Sequence, residues 1–264
     1  MEILKKELDV GLVPCDPDAT CAFFRDVMGL AEQPSIPLGK RAVQRRFKVG
    51  GHVLKCNCLA TPPAREHGGV ERAVGMRLLA FILDDLDGLL GRLDAAGKKY
   101  SKLPTPESST YNVAFTKDPD GNVLELVGLK KPAGEALRAR LQVGLTVSDI
   151  ERSRHFYGKQ LGLPEEPIMK VGGAVGTRYG FTWGTTTIKF WHVPGDLPKQ
   201  TGAPNERAGI RMFTAMVPDI DAAREELKSK DIPIVMDTEL PGLARILFFA
   251  DPDGNWIELA QRLS

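Results

Sequence analysis

Long apolar runs are missing from this 264-residue chain. No stretch approaches the roughly 18 consecutive apolar residues of a membrane span, so no membrane partner is expected. The first residues, Met-Glu-Ile-Leu-Lys-Lys-Glu, carry acids and have no apolar core, and no signal peptide is expected. Charge of one sign is missing too. Thirty-five Lys and Arg face thirty-four Asp and Glu, for a net charge of +1, which gives no field strong enough to select nucleic acid. The basic pairs Arg45-Arg46 and Lys130-Lys131 read as solvated surface or linker. Cysteine is scarce: Cys15, Cys21, Cys56 and Cys58 are all in the first half. A disulfide framework is not expected, and Cys56-x-Cys58 is not a zinc spacing. Buried free thiols in a reduced, cytoplasmic protein fit better. There is no Gly-x-Gly-x-x-Gly after a strand, no phosphate loop and no Gly-x-Ser-x-Gly, so neither a nucleotide fingerprint nor a serine nucleophile is nominated.

What the chain does contain is a duplication. Asp-Pro-Asp-Gly-Asn at 118–122 precedes Val-Leu-Glu-Leu, and the same pentapeptide at 251–255 precedes Trp-Ile-Glu-Leu, an offset of 133 residues. Solenoid repeats run roughly 20–50 residues, so a period this long means two copies of one domain. Asp9–Val13 matches Gln142–Thr146. Helices follow at 16–29 and 148–162, with Phe23-Phe24 matching Phe156-Tyr157. The segment 81–87 aligns with 215–221, and second helices follow near 86–97 and 219–230. Domains are expected at 1–130 and 141–264, joined by a linker at 131–140.

Within the first copy, 9–13, 42–49, 52–59, 78–83, 111–117 and 123–127 read as strands. Gly50-Gly51 marks a hairpin, and Asp16 or Asp18 with Pro17 opens the first helix. The second copy repeats the pattern at 142–147, 175–182, 185–192, 211–217, 244–250 and 256–260. The chain is therefore expected to hold four strand-helix-strand-strand-strand units.

The motifs Val-Gly-Leu-Thr-Val-Ser-Asp-Ile-Glu-Arg-Ser, His-Phe-Tyr…Leu-Gly-Leu and Asp-Pro-Asp-Gly-Asn-x-x-Glu-Leu together resemble the vicinal oxygen chelate superfamily, which includes glyoxalase I, bleomycin-resistance proteins and extradiol dioxygenases. The resemblance covers nearly the whole chain. It implies an α+β fold of two tandem domains, in which four βαβββ units form cup-shaped mixed sheets with helices outside. It also implies metal ligands on the cup floor. Mapped here, the floor positions are Asp9, Lys55, Leu78 and Glu125 in the first copy, and Gln142, Lys189, Met212 and Glu258 in the second. If units pair across copies, the sets become Asp9, Lys55, Met212, Glu258 and Gln142, Lys189, Leu78, Glu125.

Either way each set has two oxygen donors, one ammonium and one side chain unsuited to a hard cation, whereas a catalytic metal needs three or four donors. His52, His67, His155 and His192 fall off the floor. No cofactor is expected. A divalent metal is the alternative, with Gln142 and Glu258 as its ligands if present.

The favoured site is the cup of the second copy, with Glu258 as base, Lys189 as charge stabiliser and Gln142 beside them. Its lining is expected to include Arg245, Trp256, Met212, Thr146, Trp191 and Tyr179. Aromatic walls with one Arg, one Lys and one Glu suit a planar, oxygenated, anionic small molecule. In the other cup, Asp9, Lys55 and Glu125 read as an ion-pair cluster holding the sheet. The activity expected is that of a metal-independent lyase or isomerase moving a proton next to a carbonyl. Non-catalytic sequestration of a small molecule and a metal-dependent glyoxalase or dioxygenase remain alternatives. A homodimer stays open.

Overall fold

The computed structural model describes residues 1–64, 69–131, 140–171, 175–199 and 202–263. His67 and most of the expected linker, 132–139, lie outside them. Four βαβββ units follow one another. The first comprises β1 (Asp9–Val13), α1 (Pro17–Ala22), β2 (Ala31–Pro37), β3 (Ala42–Val49) and β4 (His52–Leu59). The second has β5 (Gly75–Leu83), α2 (Leu86–Ala95), β6 (Tyr100–Leu103), β7 (Tyr111–Lys117) and β8 (Val123–Leu129). The third has β9 (Arg140–Thr146), α3 (Ile150–Arg154), β10 (Met169–Lys170), β11 (Thr177–Trp183) and β12 (Thr186–Trp191). The fourth has β13 (Gly209–Met216), α4 (Ile220–Ser229), β14 (Ile234–Leu240), β15 (Ala244–Ala250) and β16 (Trp256–Arg262).

Each helix starts on an aspartate that accepts a hydrogen bond from a first-turn N–H: Asp16, Asp85, Asp149 and Asp219. These side chains satisfy donors that have no intrahelical partner. After α1 and α3 the chain widens into π-helical turns, Phe23–Val27 and His155–Gln160. They press Phe23, Phe24, Phe156 and Tyr157 into the core.

The strands form two curled mixed sheets of eight, ordered β14-β15-β16-β13-β1-β4-β3-β2 and β10-β11-β12-β9-β5-β8-β7-β6. Each sheet therefore joins one unit from each sequence copy. The seams are antiparallel: β1 lies on β13 with Asp9 opposite Thr214, and β5 lies on β9 with Ala80 opposite Gln142. The floor sets that pair across the copies are the ones the fold assembles.

Alternation along the strands sends Leu8, Val10, Leu12, Leu79, Phe81, Val143, Leu145, Phe213 and Leu247 to one continuous apolar core with the helices. The opposite faces line two cups, each with a small apolar cluster of its own. No described helix is long and apolar enough to cross a membrane.

Candidate active site

Both cups are built on one plan. In the first, Lys55 on β4 donates to Thr214 Oγ1 on β13 at 2.7 Å and reaches Glu258 Oε2 on β16 at 3.4 Å. Thr214 Oγ1 in turn donates to the same Glu258 oxygen at 2.8 Å. In the second, Lys189 on β12 donates to Glu125 Oε2 on β8 at 2.8 Å. The side chains of Lys55 and Glu258 are only 10 % and 9 % exposed, so each holds the other's charge in a poorly solvated place.

The grouping of Glu258 with Lys189 and Gln142 is thus corrected. Glu258 lies in the sheet of Lys55, and Lys189 with Gln142 lies in the other. Glu125 likewise leaves Asp9 and Lys55 and joins Lys189. Gln142 and Glu258 cannot share a metal, since they stand in different cups. The cause is the antiparallel seam across the copies, which the duplicated pattern alone does not specify.

In the Lys55 cup, Asp9 accepts from the Val53 amide at 2.7 Å and pairs with Lys5. Met212 is on the cup face but packs with Ile246, Phe248 and Trp256. Thr214, two residues further along the same face, is the group that meets the lysine. Trp256 stands edge-on to Phe248 and donates to the Gly202 carbonyl at 2.9 Å. Asn57 binds Gln44 at 3.0 Å and Asn205 at 3.3 Å.

In the Lys189 cup, Gln142 donates to Thr187 at 3.3 Å, and Thr187 donates to Glu166 at 2.7 Å. Arg178 pairs with that glutamate at 2.6 Å. Trp191 donates to Thr146 at 3.0 Å, and Thr146 donates to the Val70 carbonyl at 2.6 Å. The indole lies directly over Gly144, where a Cβ would sit 2.5 Å from the ring. Trp191 with Leu78, Ala80 and Val193 fills this cup with its own side chains.

Two expected lining residues are elsewhere. Arg245 alternates onto the helix face of β15 and pairs with Asp221 of α4 at 2.7 Å. That double contact holds the Asp221 carboxyl well below the usual range and the Arg245 pKa above its ordinary value. Tyr179 also faces the helices, stacked on Phe190 with Arg154 over its ring.

The described histidines keep off the floors. His52 Nδ1 sits 2.7 Å from the Leu8 carbonyl and His192 Nδ1 sits 3.2 Å from the Val147 carbonyl. His155 lines a separate cleft of about 690 Å3 with Asp149, Arg152, Asp231 and Val235. The described cysteines are free, with Cys21 and Cys58 sulfurs 3.8 Å apart on the helix side.

A metal of the kind the family holds on this floor does not fit the donors present. The Lys55 cup offers Glu258, Asp9 and the Thr214 hydroxyl, but the ammonium lies among them and Lys5 already neutralises Asp9. The Lys189 cup offers Glu125, Gln142 and Glu166, but Lys189 holds Glu125, Arg178 holds Glu166, and an alanine, Ala80, is in the threonine's place. Among the described residues no group of three or more His, Cys, Asp or Glu could hold a metal ion.

Three groups in the Lys55 cup escaped the sequence reading. Thr214 is two residues from the assigned Met212. Arg46 is opposite Lys55, a pairing fixed by a hairpin symmetric about Gly50-Gly51, so it was within reach of the turn signal. Arg262 is four residues past Glu258 on the same face of β16.

Known proteins match this architecture. The Glyoxalase/Bleomycin resistance protein/Dioxygenase superfamily model matches residues 8–126 and 140–259. A lactoylglutathione lyase of Oryza sativa subsp. japonica is 32 % identical over 166 residues, 59 % of this chain and 54 % of that one. A lactoylglutathione lyase of Pseudomonas aeruginosa is 26 % identical over 139 residues, 44 % of this chain and 78 % of its own. Glyoxalase I from Zea mays superposes with a TM-score of 0.73 at 20 % identity, covering 97 % of this chain and 92 % of that one. A putative dioxygenase from Bacillus subtilis gives 0.71 at 14 % identity, covering 100 % and 87 %. With a match to each copy and the paired cups of such folds, this chain belongs to the glyoxalase/bleomycin resistance/dioxygenase superfamily.

Proposed function

We propose that the Lys55 cup is the active one and that it moves a proton next to the carbonyl of a small oxygenated metabolite without a metal. The observation that carries this reading is the buried Lys55–Thr214–Glu258 cluster. Glu258 Oε1 has no hydrogen bond among the described residues and is free to take a proton. In the reaction a C–H bond α to the carbonyl breaks and the proton passes to Glu258. The electron pair moves onto the carbonyl oxygen, where the Lys55 ammonium stabilises the enolate. Return of the proton to another carbon gives isomerisation, and loss of a β-substituent gives elimination. Likeness to lactoylglutathione lyases supports the lyase class.

The Lys189 cup has a similar ion pair, but Trp191 lies over its floor and it lacks the threonine link. We assign that pair to holding its sheet together.

The test is C–H exchange into D2O, followed by NMR on lactoylglutathione and on a set of 2-oxo acids, with protein treated with a chelator and checked by elemental analysis. We expect exchange with at least one compound, its loss by about 10²-fold or more in Glu258→Gln, and its retention in Glu125→Gln. Exchange that disappears with the chelator and returns with a divalent metal would overturn the metal-free reading, as would a Glu258→Gln variant of unchanged rate.

A further inference from the structure

Because the two cups share one plan, each position in one has a twin in the other, and their differences are informative. Arg46 faces Lys55 across β3 and β4, and its twin opposite Lys189 is Gly180. Arg262 is four residues beyond Glu258, and the residue four beyond Glu125 is Leu129. Asn57, two residues past Lys55, has Trp191 as its twin. The Lys55 cup thus holds Arg46 and Arg262 where its counterpart holds Gly180 and Leu129, while the counterpart's own guanidinium, Arg178, is paired with Glu166 at 2.6 Å.

Neither Arg46 nor Arg262 has an ion-pair partner among the described residues. Arg46 Nε is shielded from solvent without a hydrogen-bond partner. Gln33, across from Arg46 on β2, is a neutral amide. The cup's two carboxylates are engaged: Asp9 by Lys5 and the Val53 amide, Glu258 by Lys55 and Thr214. The acids of the neighbouring strands turn the other way, Glu32 to Arg45 and Asp237 to Arg224.

The two arginines feel each other as well. Burial lowers the Arg46 pKa first and the Arg262 cation lowers it further, with Asp9 opposing. Two like charges held near one another over a cup floor, one partly desolvated, are costly unless an anion joins them. Arginine forks match carboxylate and phosphoryl oxygens.

We infer that Arg46 and Arg262 form an anion-binding subsite of the Lys55 cup, so that the metabolite taken there carries a carboxylate or phosphoryl group. This rests on the Lys55 cup being the binding site. It adds that the substrate is gripped at its anionic end by the arginines while its carbonyl faces Lys55.

The test is calorimetric titration of the full chain with pyruvate, with inorganic phosphate and with the uncharged ketone acetone, for which no saturable binding is expected. Saturable binding of at least one anion is expected, with its Kd raised about ten-fold in each of Arg46→Gln and Arg262→Gln. Arg25→Gln, at an exposed ion pair on the helix side, should leave it unchanged. Tighter pyruvate identifies a carboxylate and tighter phosphate a phosphoryl group; both support the subsite. Arg262 is exposed, so its variant tests the subsite even if the Arg46 variant folds poorly.

Absence of saturable anion binding, or an affinity indifferent to Arg262→Gln and to a folded Arg46→Gln, would overturn the subsite. Glu258→Gln separates the two proposals. Anion binding that survives it while proton exchange is lost supports both. Anion binding sensitive to the arginines, with exchange indifferent to Glu258→Gln, removes only the proton-transfer reading.

Discussion

Replacing Lys55 by methionine keeps most of the side-chain volume and deletes the charge, leaving Glu258 in a site where its side chain is 9 % exposed. Thr214 still donates to it at 2.8 Å, but one hydroxyl does not replace an ammonium. Removing one partner of a buried pair typically costs about 3–5 kcal/mol, chiefly because the remaining charge is left uncompensated. The threonine bond and the 3.4 Å separation place this pair at the lower end, about 3 kcal/mol. For a chain of this size the melting temperature should fall by roughly 6–12 °C at pH 7.5.

The sign with pH follows from the orphaned carboxyl. The deficit is the cost of an uncompensated buried negative charge, so it is smaller in acid, where carboxylates are neutralised, and larger as pH rises. Adding Glu258→Gln should return most of the lost stability, because the pair disappears together. It should not return proton exchange. Thermal and urea unfolding of the single and double variants at pH 5.5 and 7.5 check this. A single variant within 1 °C of the parent, or a double variant no better than the single, would refute a desolvated pair at the floor.

Two further outcomes follow from the packing of the cups and the core. At Gly144 a methyl group would meet the Trp191 ring at 2.5 Å and Leu78 Cβ at 3.0 Å, whereas at Gly11 it would meet only the flexible Met212 side chain, Cγ at 2.7 Å. Gly144→Ala should cost about 2 kcal/mol in urea unfolding and Gly11→Ala clearly less, and equal costs would contradict the indole's place over the floor. Asp251 is fully buried and accepts from Tyr157 and Asn255, and burial raises its pKa to about 6. A raised carboxyl contributes stability that is complete below the ordinary aspartate range and lost as pH rises through about 6. The melting temperature of Asp251→Asn relative to the parent should therefore improve between pH 4.5 and 7.5, and a flat or falling difference would argue against the assignment.

How much of this was legible in the sequence depended on where each strand lies. β3, β4, β7, β15 and their neighbours alternate between core and cup and bracket tight turns, so their periodicity shows. β2, β6, β10 and β14 are the outer strands of the sheets and largely exposed, as in β14, where every residue from Val235 to Glu239 is exposed. With no core face to fill, they carry little pattern. The Lys–Glu pairs were legible as residue types at matching positions, but not as partners, because pairing across the copies is decided by seams between strands distant in sequence, with Asp9 set opposite Thr214 and Ala80 opposite Gln142. Arg245 and Tyr179 were misplaced by one face each. A strand's period of two makes this the commonest slip when both faces are buried.

The ion pair present in both cups cannot by itself be the origin of a chemistry confined to one of them. A lysine and a glutamate on strands β4 and β16, or β12 and β8, tie the outer parts of a curled sheet across its central seam, and that mechanical task is the same twice. What differs is the company. Thr214 links the pair where Ala80 cannot, Arg46 and Arg262 stand where Gly180 and Leu129 are inert, and Asn57, bound to Gln44 and Asn205, stands where Trp191 does in the twin. Each of these substitutions alone is compatible with idle drift in a buried scaffold. The Lys189 cup keeps polar groups as well, but its guanidinium, Arg178, is spent on Glu166, whereas Arg46 and Arg262 have no ion pair among the described residues. A division in which one cup keeps the molecule folded and the other meets the ligand accounts for that difference in charge pairing, and a pair of equivalent sites does not.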